Sequence, residues 1–77
     1  MVEIYLGGHL NFYQPDKRTR LFVPLEQNLT ILALLNQIGI PREEVAFATL
    51  NGELAELPST AVSPGDRIEL YPPMGGG

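Results

Sequence analysis

Apolar and polar side chains alternate over Val2-Glu3-Ile4-Tyr5-Leu6, which predicts a half-buried strand with Val2, Ile4 and Leu6 inward and Glu3 and Tyr5 outward. Gly7-Gly8 ends that run, and the stretch to Thr19, with Asn11, Pro15 and Asp16, reads as a loop containing about one helical turn. Arg20 to Leu25 alternates again, with Leu21, Val23 and Leu25 on one side and Phe22 on the other. Pro24 has no N–H for a ladder, so this segment is an edge strand or stops there. The pattern then changes period. Ile31, Leu34, Leu35 and Ile38 form one helical stripe behind Thr30, whose hydroxyl suits an N-cap, and Gly39 and Pro41 end the helix. So short a helix is marginal alone and needs a sheet to cover its stripe, at ~1.5–3 kcal/mol per buried aliphatic side chain. Val45 to Leu50 reads as a third strand, with Ala46, Ala48 and Leu50 inward. Asn51-Gly52 predicts a two-residue hairpin into Glu53 to Leu57, which Pro58 stops. Ser63-Pro64-Gly65-Asp66 suits a type II turn, and Arg67 to Tyr71 is the closing strand, with Ile68 and Leu70 inward.

Length and composition narrow what this chain does. Its 77 residues suffice for one small domain, here residues 1–71, followed by a tail at 72–77. With no cysteine there is no disulfide, thiolate zinc site or cysteine nucleophile, and a single histidine, His9, excludes paired-histidine metal motifs; no metal site is expected. The longest apolar run, Ile31 to Leu35, is far short of the ~20 residues of a membrane span. The first residues lack the basic stretch and apolar block of a signal peptide, so a soluble, cytoplasmic protein is expected. A net charge of -4 argues against nucleic-acid binding and favours a partner with a basic surface. Lys17, Arg18 and Arg20 cluster, and a solvated loop accounts for them better than an anion site.

The tail, Pro72-Pro73-Met74-Gly75-Gly76-Gly77, is the most informative segment. Glycines are costly to order and bring nothing to pack, while the proline pair favours an extended, projecting chain. Six such residues reach at most ~20 Å, enough to present a terminal carboxylate inside another protein's active site. A frayed terminus is the alternative. If strand parity holds, Tyr5, Phe22, Phe47 and Tyr71 share the face away from the helix, either as an interface patch or as ordinary cross-strand pairs. His9 reads as a loop histidine, Glu43-Glu44 as an acidic pair in a helical first turn, and Gly7-Gly8 lacks the context of a phosphate loop.

The element order, Leu50-Asn51-Gly52, Pro64-Gly65-Asp66 and the Tyr-Pro-Pro-x-Gly-Gly-Gly ending together resemble the MoaD/ThiS sulfur carriers, prokaryotic relatives of ubiquitin. The Pro72-Pro73 pair is more similar to the molybdopterin synthase small subunit than to the thiamin carrier. The resemblance implies an α+β, ubiquitin-like β-grasp fold. Its mixed sheet of four to five strands carries one main helix on one face, its first and last strands lie parallel at the centre, and its C-terminal glycine tail is flexible. It further implies a carrier rather than an enzyme, with no bound cofactor. A ThiF/MoeB-like adenylating enzyme would use ATP to activate Gly77, which then becomes a thiocarboxylate; Gly75 and Gly76 give clearance in partner active sites. Phe47, Tyr71, Pro72, Pro73 and Met74 would meet a MoaE-like larger synthase subunit or a thiazole synthase. The alternatives are sulfur supply for thiamin or tRNA thiolation, or a binding module or protein modifier that carries no sulfur.

Overall fold

The computed structural model describes residues 1–73. Five strands form one sheet: β1 (Val2–Leu6), β2 (Arg20–Val23), β4 (Phe47–Leu50), β5 (Glu53–Ala55) and β7 (Arg67–Tyr71), in the order β2-β1-β7-β4-β5. β1 and β7 run parallel with Ile4 opposite Ile68 and Leu6 opposite Leu70, while the other neighbours are antiparallel. One helix, α1 (Ile31–Ile38), packs its stripe on the inner face, where Val2, Ile4, Leu6, Ala48, Ile68 and Leu70 meet Ile31, Leu34 and Leu35 in a single core. This is the mixed-sheet β-grasp arrangement expected from the sequence, with β2 at the edge and ending before Pro24.

The local signals hold at the turns. Thr30 Oγ1 accepts a hydrogen bond from the Ala33 amide at 3.1 Å, and Gly39 closes α1 with φ 80°. Asn51 and Gly52 both have positive φ, 52° and 91°, as a hairpin with the right-handed strand twist requires. The Asn51 side chain also ties this hairpin to the last turn. Its Oδ1 accepts from the Arg67 amide at 2.9 Å and its Nδ2 donates to Asp66 at 3.0 Å, while the other Asp66 oxygen accepts from the Ser63 amide at 2.8 Å.

Other parts of the fold differ from the sequence reading. Residues Gly8–Tyr13 form a full 3₁₀ helix rather than a loop with one turn, anchored by fully buried Leu10. Two short strands, β3 (Leu29–Thr30) and β6 (Ala61–Val62), pair as a second small sheet that the alternation does not reveal, because two residues have no period. They bring the segment after β5 to the start of α1, where Thr60 and Leu57 carbonyls accept from the Ile31 and Leu32 amides and so satisfy donors free at a helix N-terminus. β5 stops at Ala55, short of Leu57. Val45, not Ala46, is buried, since the regular strand starts only at Phe47, and Ile38 is half-buried while Ile40 completes the core.

Leu35 is 1% exposed at the centre of the helix–sheet contact, so Leu35→Ala is expected to cost about 2–5 kcal/mol. In a domain this small that lowers the thermal midpoint by about 10 °C or more in a calorimetric melt. The Asn51 and Ser63 hydrogen bonds hold the Asp66 carboxyl below its ordinary value of 3.8. A folded-state value below the unfolded one means that this stabilisation is complete above about pH 4 and is lost as pH falls through the folded value. Asp66→Asn is expected to cost about 1 kcal/mol at neutral pH and to flatten the acid limb of the stability–pH profile measured by denaturant titration.

Candidate functional site

The described residues of the predicted site lie together where β7 ends. The outer face of the sheet, opposite α1, carries Phe47, Tyr71 and Tyr5 in a row. Phe47 stacks on Tyr71 with ring centroids 4.8 Å apart, and Tyr5 lies tilted against the other side of Tyr71 at 6.1 Å. Burial between its neighbours, with the nearby Glu69 carboxylate adding to it, pushes the Tyr71 hydroxyl above its ordinary range. Phe22 shares this face but stands apart on edge strand β2 opposite Glu3, 58% exposed and outside the ring contacts of the other three. Leu54, also on this face opposite Thr49 and 77% exposed, extends the apolar surface along β5. The alternation of the hairpin partner strand holds the signal for Leu54, once Glu53 and Ala55 are placed inward.

The remainder of the outer face is polar and internally paired. Glu69 accepts from the Thr49 hydroxyl at 2.9 Å and from Arg67 at 3.1 Å, and Arg20 meets Glu3 at 3.1 Å. The basic cluster is likewise engaged locally. Arg18 pairs with Asp16 at 2.6 Å, and Lys17 lies over the Phe12 ring at 5.8 Å, which agrees with a solvated loop rather than an anion site.

Backbone bonds grip the end of β7 from both sides. The Gly7 amide donates to the Leu70 carbonyl and the Ala46 amide to the Tyr71 carbonyl, each at 2.8 Å. Pro72 then leaves the sheet against Gly8, and Pro73 is exposed. Met74, Gly75, Gly76 and Gly77, also expected at the site, lie outside the described residues. Gly7-Gly8, read from the sequence only as a strand end, is therefore part of the exit. Next to it, His9 sits on the 3₁₀ helix rather than in a loop, its Nε2 2.9 Å from Glu44. Glu44 occupies the short 3₁₀ turn Arg42–Glu44, and the hydrogen bond with His9, with a smaller contribution from nearby Tyr13, holds its carboxyl below the usual range. Both partners are exposed, so the contact fastens two surface turns without adding much stability.

Among the described residues no cluster of three or more histidine, aspartate and glutamate side chains is arranged to hold a metal ion, and no helix is long and apolar enough to cross a membrane. What the site offers is an aromatic platform beside a rigidly held exit point.

Comparison with known proteins agrees with this architecture. The model of the ThiS family matches residues 15–77. Among solved structures, SAMP1 from Haloferax volcanii is similar over 99% of this chain and 98% of its own at 22% identity, with a TM-score of 0.74, a likeness of fold. The thiamine biosynthesis protein ThiS from Geobacter metallireducens is 26% identical over 97% of this chain and 99% of its own, with a TM-score of 0.60. A chain in the complex of subunits 1 and 2 of the molybdopterin-converting factor from Helicobacter pylori 26695 is 26% identical over 99% of this chain and 97% of its own, also with a TM-score of 0.60. No curated protein matches the chain. With the family match running from the 3₁₀–β2 connection through the glycines, and the fold in agreement throughout, the chain belongs to the ThiS family of small ubiquitin-like sulfur carriers.

Proposed function

We propose that Gly77 is the working group of this carrier and that sulfur is loaded on it as a thiocarboxylate. A carboxylate resists nucleophiles, so it must first be given a leaving group. In the hands of an adenylating enzyme of the ThiF/MoeB kind, a Gly77 carboxylate oxygen attacks the α-phosphorus of ATP, pyrophosphate departs, and an acyl-adenylate results. The outer sulfur of a persulfide then attacks the carbonyl carbon and AMP leaves. A thiol cleaves the resulting acyl disulfide, so the donor is oxidised to a disulfide and the thiocarboxylate is released. More acidic than a thiol, that group is ionised and nucleophilic at neutral pH. ATP is consumed by the activating enzyme, and the carrier itself needs no bound cofactor.

The observation that carries this reading is the family match extending over residues 72–77 to Gly77, on a body whose last strand is gripped up to Tyr71. Gly75 and Gly76 provide clearance around the reacting carbon, while Phe47, Tyr71, Pro72, Pro73 and Met74 meet the partner. The Pro72-Pro73 pair and the likeness to the Helicobacter pylori complex favour a larger synthase subunit of the molybdopterin pathway as that partner. The likeness to the Geobacter protein favours thiazole formation as the second reading.

Incubation with ATP, a ThiF/MoeB-like enzyme and a persulfide donor is expected to give a mass gain of one oxygen-to-sulfur exchange, confined by tandem mass spectrometry to Gly77. A chain that binds its partner but keeps an oxygen carboxylate would instead be a binding module or modifier. Deleting Gly76-Gly77 is expected to abolish loading and leave the thermal midpoint unchanged, since the core is built from residues 2–70. Phe47, 41% exposed, has its ring on the outer face and outside the core. Phe47→Ala is therefore expected to keep the fold and weaken binding to the larger synthase subunit by about 10-fold or more in calorimetric titration.

A further inference from the structure

We infer that Gly7-Gly8 is a cradle that sets where and in which direction the chain leaves the sheet, with Gly8 acting as a positioning residue for the loading of Gly77. The inference rests on the carrier reading above. A Cβ on Gly8 would lie 2.5 Å from Pro72 Cγ and 3.2 Å from its Cδ, so a side chain there requires the Pro72 ring to move, and the φ of +54° adds a backbone cost that Lys17 and Asn51 also bear in this chain. A Cβ on Gly7 would lie 2.9 Å from the Leu70 carbonyl oxygen and 3.1 Å from the Tyr71 ring. Both glycines thus let the first turn of the 3₁₀ helix lie directly against residues 70–72.

Three contacts make this a fixed device rather than a loose approach. The Gly7 amide holds Leu70, and the Gly7 carbonyl accepts from the amide of Leu10 at 3.1 Å. Leu10 is fully buried, so the cradle is pinned to the core. On the opposite side Ala46 holds the Tyr71 carbonyl, so the exit is fastened from both flanks. Pro72, with no amide hydrogen to bond and its ring seated on Gly8, converts that hold into a set heading. The cradle fixes the point and heading from which the tail starts, and productive placement of a reacting group depends on contacts away from the reacting atoms as well as at them.

The experiment compares the unmodified chain with Gly8→Ala, Pro72→Ala and the double variant. Each is characterised by its thermal melt and by steady-state loading with the adenylating enzyme, the carrier being the varied substrate. Gly8→Ala is expected to lower kcat by about 10- to 100-fold while KM stays close to that of the unmodified chain, because the aromatic docking face is untouched. Pro72→Ala, which empties the cradle, is expected to lower kcat by less. Removing the clashing ring atoms, the double variant is expected to recover to the level of Pro72→Ala alone. Unchanged kcat in Gly8→Ala or in Pro72→Ala overturns the inference, and so does a double variant as slow as Gly8→Ala. If Gly8→Ala does not fold, a double variant that folds and loads like Pro72→Ala supports the contact. A double variant that also fails to fold places the need for glycine in its φ alone and overturns it. Failure of the unmodified chain to acquire sulfur would strike the carrier reading instead.

Discussion

Parallel pairing of β1 with β7 at the centre of the sheet is the constraint on which the rest of this molecule depends. A parallel pair cannot be joined by a tight turn, so everything between Leu6 and Arg67 must serve as the crossover. The amphipathic helix does most of that work by burying its stripe against the inner faces of the two central strands. Because β1 and β7 end side by side, the residues after β1 become neighbours of the residues after β7. The geometry of the exit follows from the topology of the core.

That juxtaposition divides the molecule into two surfaces with different tasks. The inner face packs its apolar side chains against α1, and no polar or charged residue is buried among the described residues. The outer face is graded. Ion pairs and a threonine–glutamate bond occupy its middle, and aromatic rings collect at the end where the chain departs. The exposed aromatic surface thus lies beside the point where the chain leaves the sheet.

How much of this was legible beforehand depended on the range of the interactions involved. Thr30, Gly39, Asn51-Gly52 and Ser63-Pro64-Gly65-Asp66 act within a few residues, and each formed what its chemistry favours. Period-two alternation correctly turned Tyr5, Phe47 and Tyr71 outward, because side-chain parity along a strand is a local property. The start of β4 broke that rule: Val45 precedes the regular ladder, so parity extended back from Leu50 pointed to Ala46 instead. β3 and β6 were invisible for a related reason, since each is made by the other and neither carries a pattern alone.

The amino-acid sequence by itself determined the order of the main elements, their caps and turns, the alternating faces, and the family to which the chain belongs, because all of these are written in short-range stereochemistry and in a distinctive ending. Only the tertiary structure decided that Gly7-Gly8 would meet Pro72, that Asn51 would clasp Asp66 and Arg67, that Phe22 would stand apart from the other rings, and that Glu44 would face His9. These are contacts between residues up to 64 positions apart, and their partners are selected by which strands lie side by side. Strand adjacency is settled by burial of the whole core at once, and no local stretch of chain contains that information.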